Sequence, residues 1–314
     1  MTGVQTCALP ILVLLAAMLM FSGCGGGGTA LPKSLPKDAQ GIQQAFEQLL
    51  AASGKQLVTK ITVGHLGFTL SAYDNSQSAT GALIGQNWGD PEPYTSDGAP
   101  QPAGTAFIPV AEINVGEVYQ SFARSLPDCT EVNVQIEAAP NGTVISSANC
   151  GLDSERTIEI GGQRFNGKPD ASTVETNVQL LEILSQFKVG RMSGVEASRE
   201  TISAIVSQPG LPGVGDKSCP AWSIEWGISG ILTSCRETDP AEGHFFELAD
   251  INKDKFPANA VDVFRATVEN PSIAEGYAIT WSLTKNVVAV VATLGLSPTE
   301  AREYGYDLAG NPLQ

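Results

Sequence analysis

Residues 114–150 read NVGEVYQSFARSLPDCTEVNVQIEAAPNGTVISSANC, and the order of patterns in this stretch decides the fold class. Asn114 precedes Val115, Val118, Phe122 and Leu126, which share one face at helical spacing, so the segment predicts a helix capped by Asn114. The period then changes. Val132, Val134 and Ile136 alternate with polar residues, as on a half-buried strand. Pro140-Asn141-Gly142 is a turn signal, and Val144 resumes the apolar pattern beyond it. Cys129 and Cys150 flank that turn. The stretch therefore reads as a helix leading into an antiparallel hairpin whose open end a cysteine pair can tie.

The same succession recurs on either side. Residues 38–52 (DAQGIQQAFEQLLAA) carry Ile42, Ala45, Phe46, Leu49 and Leu50 on one helical face, with Asp38 as cap and Gly54 as stop. Strand-like segments follow at 57–71 and 81–84. A third helix is expected near Ser198, through Ile202, Ile205 and Val206, ahead of a hairpin in which Trp222, Ile224, Trp226 and Ile228 alternate. A fourth is expected at 259–268, followed by strands at 277–283 and 287–294. Residues 114–120 and 259–265 align at an offset of 145, which would fit a duplication, although any capped amphipathic helix has this look. A further helix at 172–187, patterned through Val178, Leu181 and Leu184, is expected to close the first half. Residues 85–104 and 207–217 are expected to be loops, and 188–194 the boundary. The prediction is an α+β fold of helix-plus-antiparallel-hairpin units forming two small domains, 38–188 and 189–314, each with its own core. No strand–helix–strand unit with a Gly-rich phosphate turn is present, which argues against a doubly wound nucleotide-binding fold.

Four cysteines lie in these domains. Cys129, Cys150, Cys219 and Cys235 allow three connectivities, or could be free or metal-binding thiols. Cys219 and Cys235 flank Gly227-Ile-Ser-Gly230 as the first pair flanks its own turn, so two local disulfides are expected, 129–150 and 219–235. Cystines of this kind belong to exported proteins.

The N-terminal segment is consistent with export. Residues 11–21 (ILVLLAAMLMF) are unbroken apolar, the length of a signal-peptide core and too short to span a bilayer. Phe21-Ser22-Gly23-Cys24 resembles the lipobox of bacterial lipoproteins, with Phe21 where Leu is usual. The resemblance implies that 1–23 is a signal peptide and that Cys24 is lipidated, with palmitate among its acyl chains, as the mature N-terminus. Residues 1–10 (MTGVQTCALP) lack the positive charge expected there and look like translated sequencing-adaptor read-through, so they are set aside as foreign together with Cys7. Residues 24–37 follow as a Gly- and Pro-containing tether. Gly25 stands where an inner-membrane-retained lipoprotein often has Asp. The resemblance thus implies an outer-membrane anchor in a Gram-negative bacterium, facing the periplasm.

The charge balance fits that address. The chain has 33 acids against 18 bases, a formal charge of −15. It has no basic face with which to neutralise phosphates, so no nucleic-acid partner is expected. The tether contributes two lysines and no acid, while both halves are acidic, so the body should stand off an anionic membrane surface.

Chemistry-bearing motifs are sparse. No G-x-S-x-G, H-E-x-x-H or phosphate-loop pattern occurs. Ser34-Leu-Pro-Lys37 spells S-x-x-K but lies in the tether. His65 and His244 have no legible partners. Asp250-Ile-Asn252-Lys-Asp254 resembles the opening of calcium loops of the EF-hand and dockerin type, which would make Asp250, Asn252, Asp254, the Phe256 carbonyl and Asp262 a calcium site. Lys255 in place of the sixth-position Gly, and Asp262 one place late, depart from that pattern, and a polar turn before a helix is the alternative. Trp222 with Trp226, and Tyr277 with Trp281, fall on strand faces and are expected in the core. Trp88 and Tyr94, in a polar loop, are the candidate ligand contacts. These features point to a non-catalytic envelope lipoprotein that binds an unknown envelope protein or polymer. The alternative is a periplasmic hydrolase or modifying enzyme whose site is scattered in sequence.

Overall fold

A computed structural model describes residues 33–75, 80–90, 92–100, 106–153, 155–165, 167–214, 217–236, 245–269, 276–282, 285–294 and 302–314. The signal segment, Cys24, most of the tether and His244 lie outside the described residues. The chain is α+β, dominated by two antiparallel sheets.

The first half begins with helix α1 (Ala39–Ser53). Asp38 caps it, its carboxylate accepting the Gly41 N–H at 2.7 Å, and Ile42, Ala45, Phe46 and Leu49 are buried. Four strands follow: β1 (Leu57–Val63), β2 (Gly67–Tyr73), β3 (Thr80–Asn87) and β4 (Tyr94–Pro100). Helix α2 (Val115–Ser125) starts the second unit, with Asn114 accepting the Glu117 N–H as expected. Strands β5 (Val132–Ala138), β6 (Val144–Cys150), β7 (Thr157–Ile160) and β8 (Gln163–Phe165) complete the sheet. Its order, β4-β3-β2-β1-β5-β6-β7-β8, is a mirror arrangement of two meanders joined at the antiparallel pair β1/β5.

The second half repeats the plan. Helix α3 (Val174–Gln186) leads into β9 (Arg191–Ser198), β10 (Ile202–Val214), β11 (Lys217–Gly227) and β12 (Gly230–Arg236). A two-residue strand β13 (Phe246–Glu247) precedes α4 (Phe256–Glu269), β14 (Gly276–Trp281), β15 (Val288–Leu294) and β16 (Arg302–Asp307). The order β12-β11-β10-β9-β14-β15-β16 again has an antiparallel join, β9/β14, at its centre, with β13 also pairing β9.

Both expected disulfides are present, Cys129–Cys150 and Cys219–Cys235. Each ties the open end of its hairpin: Val132 faces Cys150 across β5/β6, and Trp222 faces Cys235 across β11/β12. The β5/β6 turn depends on Gly142, whose φ of +84° is one that side-chain-bearing residues avoid.

Several expectations are corrected. Residues 202–214 form a strand rather than a helix: Ile202, Ala204 and Val206 are buried alternately, a period of two that the Ile202/Ile205/Val206 spacing disguised. The loop expected at 207–217 is the far part of the β10/β11 hairpin, and the loop at 85–104 contains β4. Helix α4 starts at Phe256, so Asn259 lies inside its first turn rather than capping it. The residues that follow β16 fold back along its free edge: Asp307 N–H donates to the Asn311 carbonyl and Leu313 N–H to that of Gly305.

Helix α3 is the largest revision. It packs on α4 and joins the second core, rather than closing the first half. Its buried face runs through Asn177, Leu180, Leu181, Ile183 and Leu184, and Val178 is exposed. The second core also takes in Ile145, Ile158, Ile160 and Phe165. On β6–β8 these residues lie on the opposite face from Val144 and Ala148, which belong to the first core. Strand β6 thus carries apolar residues on both faces and is shared between the cores, while β7 and β8 turn their apolar residues to the second core. Polar contacts reinforce the join: Asn141 donates to the Phe187 carbonyl at 2.6 Å, and the Trp226 indole to the Gly167 carbonyl at 3.1 Å.

Candidate functional site

The β3–β4 end of the first sheet is the most exposed surface bearing sequence-predicted contacts. Strand β3 buries Ala82, Ile84 and Gln86 on one face. On the other, Gly85 leaves room for Tyr94: a Cβ at Gly85 would lie 2.2 Å from the Tyr94 ring. The Tyr94 ring therefore lies across the glycine it pairs with, which compensates for the side chain missing there. Tyr94 remains 39 % exposed. The turn into β4 is pinned by polar bonds: the Gln86 amide donates to the Asp90 carbonyl at 2.7 Å, and the Asn87 amide to the Asp90 carboxylate at 3.0 Å.

Trp88, expected to be exposed, is half-buried against the first core. Its indole N–H donates to the Gly64 carbonyl at 2.7 Å and its backbone N–H to that of Leu66. Trp88 clamps the β1–β2 turn, and Tyr94 is left as the open aromatic of the pair.

The electrostatics of this end are legible in the sequence as a charge pattern rather than a motif. Between Lys60 and Arg124 there is no Lys or Arg, yet Asp74, Asp90, Glu92, Asp97, Glu112 and Glu117 fall there. The two nearest bases upstream are engaged: Lys55 pairs with Asp74 and Lys60 with Glu137, each at 2.8 Å. Glu92 and Asp97 are exposed, so β4 is bordered by carboxylates without a nearby cation in sequence.

The five residues of the expected calcium loop are not brought together as ligands. Asp250 accepts the Glu247 N–H in a 3-10 turn. The Asn252 side chain accepts the Asp254 and Lys255 N–H groups, and its carbonyl accepts that of Phe256, so Asn252 starts α4. Phe256 opens the helix with its ring in the core. Asp262 faces β16, accepting hydroxyls from Tyr304 at 2.5 Å and Tyr306 at 2.6 Å. Among the described residues no group of three His, Cys, Asp or Glu side chains is placed to hold a metal. His65 lies 3.3 Å from the Asn133 amide oxygen and 3.6 Å from Glu131 on a turn.

The Tyr304 and Tyr306 hydroxyls hold the Asp262 carboxyl below the usual carboxylate range, against a smaller opposing effect of burial. A lowered folded-state pKa means that this contact stabilises fully above the unfolded value, about pH 4, and fades as pH falls through the folded one. Amide protection in β16 should therefore drop below about pH 4 in the wild-type chain. In Asp262→Asn it should already be reduced at pH 7 and lack that acid step. Identical protection profiles from hydrogen exchange would dismiss the contact.

A second open surface is a trough of about 450 Å³ on the solvent side of the second sheet, where Ser198, Thr201, Ser203, Thr280 and Thr293 line strands β9, β10, β14 and β15. Of the aromatics expected in the core, Tyr277 borders this trough and Trp281 is half-buried. Trp222, Trp226 and Tyr277 are buried, and burial raises the Tyr277 phenol well above its ordinary pKa.

No family model matches the chain, and no curated protein matches it by sequence. Among solved structures, a chain of the PCNA2-PCNA3 complex from Sulfolobus tokodaii aligns over 84 % of this chain and 93 % of its own, at 11 % identity and a TM-score of 0.17. A likeness that slight carries no argument for fold or function.

Proposed function

We propose that the chain is a non-catalytic, lipid-anchored envelope module that binds a partner protein or polymer on the periplasmic side of the outer membrane. The observation that carries this reading is the division of labour between the faces of the sheets. Large aromatics fill the cores, while an edge strand and a trough lined by hydroxyl and small apolar side chains stay open. Polar groups with catalytic potential are engaged in structural bonds: Asp262 with two tyrosines, Asn252 with a helix start, Asn177 with Tyr277 and two backbone carbonyls. The two disulfides support an oxidising compartment. The Cys24 segment supports the anchor, and the charge of −15 supports leaving nucleic acid out of the partner set.

The address is tested by expressing the full chain, with a functional export signal ahead of residue 11, in cells fed radiolabelled palmitate. Label should enter the protein and fractionate with the outer membrane, and Cys24→Ala should abolish incorporation. Unchanged labelling of Cys24→Ala would remove the anchor from the proposal.

A further inference from the structure

We infer that β4 is a strand-addition site for an extended, basic peptide segment of a partner protein. This rests on the binding-module reading above and specifies where and what it binds. The argument starts from the sheet edges. An unpaired edge presents a row of backbone donors and acceptors that another strand can complete, and proteins blunt such edges when they are not used. Two of the four outer strands are blunted: the C-terminal segment covers β16, and β8 is three residues long, while β12 meets β7 at its Gly230 end. Strand β4 differs: among the described residues it pairs with β3 alone, and residues 92–97 are all exposed. Its regular ladder with β3 runs from Tyr94 to Asp97 before a register shift at Gly98. That is long enough to guide a short strand and too short to hold one tightly.

Charge selects the occupant. Glu92 precedes this ladder and Asp97 ends it, and no Lys or Arg occurs in the sequence from 61 to 123. A second copy pairing through its own β4 would place two sets of these carboxylates on one ladder, where like charges oppose association. A strand carrying Lys or Arg would complement them, and the exposed Tyr94 ring, on the opposite face from Asp97, offers an apolar contact for the stem of a long basic side chain. Such recognition should weaken as salt rises.

The probe is a fluorescein-labelled octapeptide of alternating Lys and Val, added to the full chain, with an alternating Glu and Val octapeptide as control. The basic peptide should bind at least ten-fold more tightly than the acidic one, and hydrogen exchange should slow at residues 92–97 on binding. Glu92→Lys/Asp97→Lys should weaken binding at least ten-fold. Glu47→Lys/Glu175→Lys makes the same change in net charge on exposed helix positions and should alter binding less than two-fold. Equal binding of both peptides, equal losses in both variants, or protection confined to other strands overturns the inference. Photocrosslinkers at Ser96 and Thr280 in intact cells separate it from its premise. Crosslinks from Thr280 alone overturn the β4 site and leave a binding module, whereas none from either position overturns both.

Discussion

Trp222→Ala is expected to destabilise the fold by about 3–5 kcal/mol, the range for emptying a large aromatic site in a core. Trp222 is wholly buried on β11. Its neighbours come from three directions: Val206 across β10, Cys235 across β12, and the Phe187 ring, whose centroid lies 5.6 Å away at an interplanar angle of 67°. Alanine would leave a void bordered by two strands and the end of α3, none of which can collapse without breaking ladder bonds or the Cys219–Cys235 link. It would also deprive the Gln208 side-chain oxygen of the indole donor it meets at 3.2 Å. Trp222→Phe keeps most of the volume and should cost less than half as much. The expected fall in melting temperature for alanine is on the order of 10 °C.

This substitution also probes the relation between the cores. Ile145, Ile158, Ile160 and Phe165 belong to the first sheet and the second core together. Loss of packing around Trp222 should therefore propagate into the first sheet, and melts followed by far-UV and near-UV circular dichroism should shift together in one transition. Two transitions, with only the second displaced, would mean that the shared strands do not couple the halves.

How much of this was legible in the sequence depends on what kind of force placed each residue. Helix α1 could be read because its cap and apolar face are local: Asp38 and Ile42, Ala45, Phe46 and Leu49 act within one helix. The disulfides could be read because each pair brackets a turn with its own signature. Strand β10 misled because Ile202, Ile205 and Val206 satisfy helical spacing while Ile202, Ala204 and Val206 satisfy strand spacing, and only the partners on β9 and β11 choose between them. Strand β4 was invisible for a different reason. Tyr-Thr-Ser-Asp-Gly-Ala-Pro has little apolar alternation, and an edge strand is held by backbone pairing to β3 rather than by burial. The allegiance of α3 to the second core is a tertiary fact, decided by what faces Leu180 and Leu184 rather than by their spacing. In the candidate site, Tyr94 is exposed and Trp88 half-buried: a polar loop predicts exposure for both, but it cannot show that the Gly64 carbonyl accepts the Trp88 indole. The base-free run from 61 to 123 was readable throughout, as a charge pattern rather than a motif.

Removing the disulfides is expected to have the other large effect. Closing loops of 21 and 16 residues should each contribute about 3 kcal/mol by restricting the unfolded chain. The two should nevertheless differ in consequence. Cys129–Cys150 joins the approach to β5 to the end of β6, beside partly exposed polar residues such as Asn149, so Cys129→Ser/Cys150→Ser should fold at room temperature with a lowered melting point. Cys219 is buried in the second core with Cys235 packed against it. Cys219→Ser/Cys235→Ser would add to the lost cross-link the cost of placing a hydroxyl in apolar surroundings, about 1–3 kcal/mol if it goes unsatisfied. Cys219→Ala/Cys235→Ala removes that second cost and isolates the first. Urea denaturation of the three double variants should therefore rank the serine pair at 219/235 as least stable, with the alanine pair there close to the serine pair at 129/150. If both serine pairs lose equal stability, chain restriction alone accounts for the bridges. If reduction leaves the wild-type transition unmoved, the pairings do not stabilise the fold at all.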